Sequence, residues 1–269
     1  MTRPFRFGVV APLLTDVPAW RDQVRRIADS GYSTVLMPDV PQWQPAPAPA
    51  LATAAAQTGL RVGTWVSASP LHPAWSLAWE AHSMSVLTEG RFELGLGTGR
   101  PGIEDELRDL GLPVSSPGDR LGQVRDTVAR LRELDGPDAH TPVVMAVRGP
   151  RARALAAEVA DTVTFAMLPG DTRGDVERMA RDLRAERDVE LALHVSVVGD
   201  EVAPFMASAR DTDPAAMRAA DSLAILPSDP AAALEELQRR REEAGFSYVV
   251  VGAGSAEVLA PVVATLAGA

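Results

Sequence analysis

Eight short runs of apolar and β-branched residues recur along the 269-residue chain, each followed by a stretch with helical spacing, and no linker or compositional break interrupts them. The runs cover residues 5–10, 34–37, 61–66, 90–97, 142–147, 163–166, 190–198 and 247–252. Between them apolar residues fall three and four apart, as in Val17, Trp20, Val24 and Ile27, or Leu121, Val124, Val128 and Leu131. Asp16, Asp119 and Asp229 stand where helices open, and Gly31, Gly59 and Gly245 where they stop. Strands separated by helices pair in parallel. The class is therefore α/β. Eight units in this length fit one (β/α)8 TIM barrel occupying residues 1–269 as a single domain, with an open doubly wound sheet as the alternative.

A barrel carries its chemistry at the carboxyl ends of its strands. That filter selects Asp39, the segment from Trp65 to Ser69, Thr98 to Arg100, Arg148 to Arg151, and Met167. In GRFELGLGTG, residues 90–99, Gly95, Gly97 and Gly99 lack side chains, so either another backbone or a flat ligand approaches there. Asp39 is either a polar ligand contact or the cap of the proline-rich loop 40–49. His72, just before a helix-starting proline, is either a site residue or a structural cap; with Trp43, which can stack on a ring, it makes up the catalytic candidates. Trp65 is either a ring contact or core. At Arg148-Gly149-Pro150-Arg151 a helix start offers free backbone N–H groups and a positive dipole to a phosphate, the alternative being a solvated basic surface. The loop 100–117 is long for a connection, which marks function or partial disorder.

Composition narrows the ligand classes. A net charge of −10 opposes binding to nucleic acid or to an anionic membrane, since both need a positive footprint. With no cysteine there is no disulfide, thiolate metal site or cysteine nucleophile, and four scattered histidines predict no metal site. The opening MTRPFRFGVV holds neither a long apolar run nor a cleavage site, so a cytoplasmic protein without a membrane span is expected.

The segments HPAWSLAWEAHSMSVL, EGRFELGLGTG and PGDRLGQVRDTVARL together resemble the bacterial luciferase-like family of flavin- and deazaflavin-dependent oxidoreductases. GPRARALAAEVADTV resembles that family's phosphate-binding turn and helix, and PAAALEELQRRREEAGFSYVVVG its last helix and strand, so the likeness spans nearly the whole chain. The resemblance implies a barrel, commonly dimeric, that binds FMN or coenzyme F-420 across the carboxyl ends of its strands. It places Asp39, Trp65, Val66, Thr98, Gly99 and Gly149 around the ring and phosphate, and implies a non-prolyl cis bond at Trp65–Val66. Two positions depart from the pattern. Members that oxidise sugar phosphates or alcohols carry histidine after the strand-two aspartate, where this chain has Val40, and sugar-phosphate members carry glutamate where it has Arg100.

The expected function is hydride transfer between coenzyme F-420 and a small organic substrate by a homodimer. An FMN-dependent monooxygenase, shielded by loop 100–117 or 170–173, and a non-catalytic flavin-binding barrel are the alternatives. Arg148, Gly149, Pro150 and Arg151 would hold the phosphate, and Arg100, Arg148, Arg151 and Arg153 would attract the acidic tail of F-420 despite the overall negative charge.

Overall fold

The computed structural model describes residues 3–168, 170–203 and 212–269. Its first half runs β1 (Arg6–Val10), α1 (Val17–Asp29), β2 (Thr34–Met37), α2 (Pro47–Gln57), β3 (Arg61–Thr64), the two-residue β4 (Ser67–Ala68), α3 (Ala74–Leu87), β5 (Phe92–Gly97), α4 (Ile103–Asp109) and α5 (Pro117–Asp135). The second half runs β6 (Val143–Val147), α6 (Pro150–Val159), β7 (Thr162–Phe165), α7 (Arg173–Glu186) and β8 (Glu190–Val195). An excursion then inserts β9 (Val197–Val198), β10 (Glu201–Val202), α8 (Pro214–Ala219) and β11 (Ile225–Leu226) before α9 (Pro230–Ala244), β12 (Phe246–Gly252) and α10 (Ala256–Leu266).

Eight parallel strands close into a ring in the order β1, β2, β3, β5, β6, β7, β8, β12 and back to β1. The contact that shuts it is β3 on β5, with Val62 opposite Phe92 and Gly63 opposite Glu93. That pairing decides for the (β/α)8 barrel over an open sheet. β9, β10 and β11 form a separate three-stranded sheet.

Both faces of every barrel strand are covered, which is why the strands read as nearly continuous apolar runs. Residues of one parity, such as Phe7, Val9, Val35, Leu94, Leu96, Leu191 and Val249, join the apolar layer that also contains Trp20 and Ile27 of α1, Leu77 of α3 and Leu131 of α5. Residues of the other parity fill the barrel: Val10, Leu36, Trp65, Val144, Ala192, Tyr248 and Val250 form a second cluster. Inward glycines make room for the large members. A Cβ on Gly8 would lie 2.7 Å from the Tyr248 hydroxyl, and one on Gly63 would lie 2.6 Å from Cγ of Glu93.

The amino end of the barrel is closed by charge rather than by grease. Arg6 donates to Glu93 (2.8 Å) and Glu190 (2.6 Å) and lies 3.4 Å over the Tyr248 ring, while the Tyr248 hydroxyl donates to Glu93 at 2.7 Å. Burial, then the negative charge of Glu93, pushes the Tyr248 phenol well above its ordinary value, so it stays a neutral donor.

Loop 100–117 contains the short helix α4, anchored by buried Ile103 and Leu107. α5 starts at Pro117, two residues before Asp119. Ser116 accepts from the Asp119 amide and the Asp119 carboxylate accepts from the Ser116 amide, a reciprocal cap that moves the helix start upstream.

Candidate active site at the barrel mouth

The strand ends that the sequence singles out do form the carboxyl rim of the barrel, and each brings a different resource. β2 delivers Asp39, only 6% exposed. Its Oδ2 accepts from the Ala68 amide at 3.1 Å and meets Nε2 of His72 at 2.8 Å. Asp39 thus ties the β3–α3 connection to the end of β2, and His72 is held by a carboxylate from another strand. His72 stays partly open, with 36% of its side chain accessible. Burial alone would disfavour the charged ring, but the hydrogen bond and charge of Asp39, helped by Glu80, hold His72 above the ordinary histidine value. Glu80 in turn is raised, by its own burial first.

The Trp65–Val66 bond between β3 and β4 is cis. The Trp65 indole, 7% exposed, points into the barrel, where it donates to Nδ1 of His194 at 3.3 Å and packs edge-on against Tyr248. It belongs to the barrel core and forms a floor beneath the mouth. The glycine corner on β5 serves the same junction: a Cβ on Gly95 would lie 1.9 Å from the Thr64 carbonyl oxygen, and one on Gly97 would lie 3.0 Å from Cγ2 of Val66. Another backbone and a valine, not a ligand, use that space. Gly99 is left-handed (φ 93°) and turns the chain over Ile103, leaving Thr98 and Gly99 half-buried at the rim.

Beyond β6 the chain enters α6 through Gly149, an extended cap without a side-chain bond, with Pro150 at the first turn. A Cβ on Gly149 would meet nothing within 4 Å. Arg148, Gly149, Pro150 and Arg151 are all exposed. Arg148 grips Asp171 with two bonds of 2.5 and 2.9 Å, which holds the Asp171 carboxyl below its usual range, and the Arg148 carbonyl accepts from Arg153 at 2.8 Å. Arg100 donates to Glu106 at 2.5 Å and to the Asp39 carbonyl at 3.4 Å. Trp43 lies in the loop after β2 and is 53% exposed.

Several structured polar groups escape the sequence reading. Gln44 is buried in the β2–α2 loop, accepting from the Leu13 amide at 3.1 Å and donating to the Pro38 carbonyl. The signal for the cluster under Tyr248 was present: Glu93 is a lone charge inside the buried strand FELGLG, opposite a chain that opens on Arg6. Two clefts lie away from the mouth, one of about 400 Å³ between α8, β11 and α9, and one of about 300 Å³ between α5 and α6. Among the described residues no helix is long and apolar enough to cross a membrane, and no three histidine or acidic side chains are grouped as for a metal ion.

Known proteins share this architecture. Among solved structures, an F-420-dependent secondary alcohol dehydrogenase in complex with an F-420–acetone adduct aligns over 98% of this chain and 99% of its own, with a TM-score of 0.71 and 16% identity. The F-420-dependent tetrahydromethanopterin reductase of Methanopyrus kandleri aligns over 97% and 99%, with a TM-score of 0.71 and 15% identity. A riboflavin lyase with modified FMN and riboflavin aligns over 98% and 93%, with a TM-score of 0.74 and 15% identity. Such low identities speak to the fold. In sequence, 4-hydroxyprotoasukamycin monooxygenase of Streptomyces nodosus subsp. asukaensis is 35% identical over 109 residues, a match covering 40% of this chain and about a quarter, 26%, of that relative's length. The model of the luciferase-like monooxygenases matches residues 6–244. With the closed barrel and nearly its whole length accounted for by that match, the chain belongs to the luciferase-like monooxygenase family of oxidoreductases.

Proposed function

We propose that this oxidoreductase transfers hydride between coenzyme F-420 and a small organic substrate at the carboxyl mouth of the barrel. The observation that carries the reading is the open amino end of α6. Pro150 has no N–H, so the amides of Arg151 and Ala152 are the free donors of the first turn, and Gly149 leaves the space before them clear. Arg151 is exposed and forms no ion pair with a described residue. Backbone donors, helix dipole and a guanidinium fit a phosphate. When bound, the deazaflavin supplies the hydride chemistry; the chain binds and orients it. Asp39, Trp65, Val66, Thr98 and Gly99 would border its ring, with Trp43 and His72 at the substrate side. Arg148, tethered by Asp171, would present its remaining N–H groups to the phosphate. The same reading takes residues 1–269 as one domain, working as a cytoplasmic homodimer.

Equilibrium titration of Arg151→Glu with F-420 tests it. Loss of a charge-assisted bond worth ~1.5–3 kcal/mol predicts a Kd weakened about ten- to hundredfold. An unchanged Kd with folding intact moves the phosphate elsewhere.

One observation favours FMN as the alternative. Arg100 is engaged by Glu106, Arg148 by Asp171, and Arg153 by a carbonyl, so little unpaired charge is left for an acidic tail. FMN needs only the phosphate end. Tight FMN binding without F-420 binding, at low and high salt alike, selects the monooxygenase reading.

A further inference from the structure

The cleft of about 300 Å³ between α5 and α6 gathers positive charge in a chain whose net charge is −10. α5 presents Arg125, Val128, Ala129 and Arg132 to it, the spacing of one helical face, so two guanidiniums flank an apolar strip. Val159 at the end of α6 extends that strip. His140, from the connection before β6, and Arg187, just beyond α7, complete a basic wall. Two carboxylates in the lining, Glu158 and Asp161, answer three guanidiniums, so the cleft is positive even with a neutral imidazole.

Bonds within the protein position these basic groups without exhausting them. Arg187 donates through Nη1 to the Ala157 and Glu158 carbonyls, at 3.2 and 3.3 Å, and so closes the carboxyl end of α6. Arg132 donates to the Thr141 carbonyl at 2.7 Å and to Asp161 at 3.2 Å, and Nε2 of His140 meets Asp161 at 2.9 Å. Asp161 also accepts from the Val143 amide at 2.8 Å, which ties this corner to the start of β6. Arg125 meets the Glu158 carboxylate at 3.0 Å, in a pair more than half exposed on both sides. Arg125 and Arg187 thus converge on the same residue from α5 and from the end of α7. Nε and Nη1 of Arg125, and Nε and Nη2 of Arg187, form no hydrogen bond with a described residue. An exposed pair such as Arg125–Glu158 is weak, so Arg125 can turn to a better anion at small cost.

We propose that this cleft is a second anion site, separate from the mouth, that takes a small phosphomonoester. The phosphate lies between Arg125 and Arg187, Arg132 and His140 add charge, and an apolar or planar body rests on Val128, Ala129 and Val159. A phosphate suits the site better than a single carboxylate, because it carries more charge and has oxygens enough to share among guanidiniums that approach from different elements. α6 starts at the Gly149 turn and ends at this cleft, but no residue of the cleft's lining stands at the carboxyl rim. The inference holds whichever cofactor the mouth takes.

Calorimetric titration with phenyl phosphate tests this, in Arg151→Glu protein so that the amino end of α6 does not contribute. Saturable binding is expected, weakened by added salt, weaker for inorganic phosphate, which lacks the body, and absent for benzyl alcohol, which lacks the charge. Adding Arg125→Gln should weaken it about tenfold or more, and adding Glu158→Gln, which releases Arg125, should tighten it about two- to fivefold. Both changes fall on an exposed pair, so the fold is expected to survive them, and the gain in Glu158→Gln is a result that damage to the fold would not produce. No saturable binding of phenyl phosphate, an affinity unchanged in both variants, or equal binding of inorganic phosphate or benzyl alcohol overturns the proposal.

Discussion

At single positions the structure separates residues that look alike in sequence. Gly95 and Gly149 both border the mouth, but a methyl group on Gly95 would collide with the Thr64 carbonyl oxygen, whereas on Gly149 it would meet open space at an ordinary φ of −68°. Gly95→Ala is expected to destabilise by more than about 3 kcal/mol in urea unfolding, and Gly149→Ala to stay within about 0.5 kcal/mol. Asp135 makes a second contrast. Its buried carboxylate accepts from His82 (2.9 Å), the Thr141 amide (2.7 Å) and the Thr141 hydroxyl (3.0 Å). Burial pushes the Asp135 carboxyl up, but the bonds from His82 and Thr141 outweigh it and hold it below its usual value. A depressed carboxylate contributes stability above its unfolded pKa and loses it as pH falls through the folded one. Asp135→Asn should therefore cost roughly 2–3 kcal/mol at pH 7, a deficit that narrows as the pH drops through the carboxylate range. Asp39 and His72, 33 positions apart, show what single residues conceal: each was a candidate by type, but only the adjacency of β2 and β3 brings them together.

Among the elements, caps and periodicity were the legible layer. The eight barrel strands fall where apolar runs fell, and α1 and α9 are capped by Asp16 and Asp229 as their sequence predicts. α5 starts ahead of Asp119 because a reciprocal cap reaches three residues forward, Ser116 with Asp119, and α7 opens on the same device, Thr172 with Asp175. Asp171 lies just ahead of α7 and serves Arg148. Thr172→Ala should remove about 1 kcal/mol of stability, measurable as a lowered denaturation midpoint with an unchanged slope. α4 was hidden by its brevity, since two buried apolar residues in seven leave no period to count. The polar interior was hidden for another reason. Inward and outward positions are both buried in a closed barrel, so the alternation that flags a half-exposed strand is lost, and Glu93 beside leucines carries no local sign of its partners Arg6 and Tyr248.

For the molecule as a whole, α3 presents Trp75 and Trp79 outward at 59% and 60% exposure, their rings stacked with centroids 6.4 Å apart, and Val86 and Leu87 follow on the same helix. Adjacent exposed tryptophans are costly to leave in water, and the proposed homodimer would bury them between its two copies. Light scattering at micromolar concentration should give twice the 28.5 kDa chain mass, and Trp79→Glu should shift it toward one chain without lowering the unfolding enthalpy per residue. A monomer mass for the wild type rejects that use of the face. At the opposite pole from the mouth, Arg6, Glu93, Glu190 and Tyr248 are locked together across four strands, and Trp65 roofs the apolar space above them. A barrel plugged in this way and filled beneath Trp65 has one door. Whatever reaches its mouth, solvent and protons included, must leave past the same rim, so crowding that rim throttles arrival and departure together.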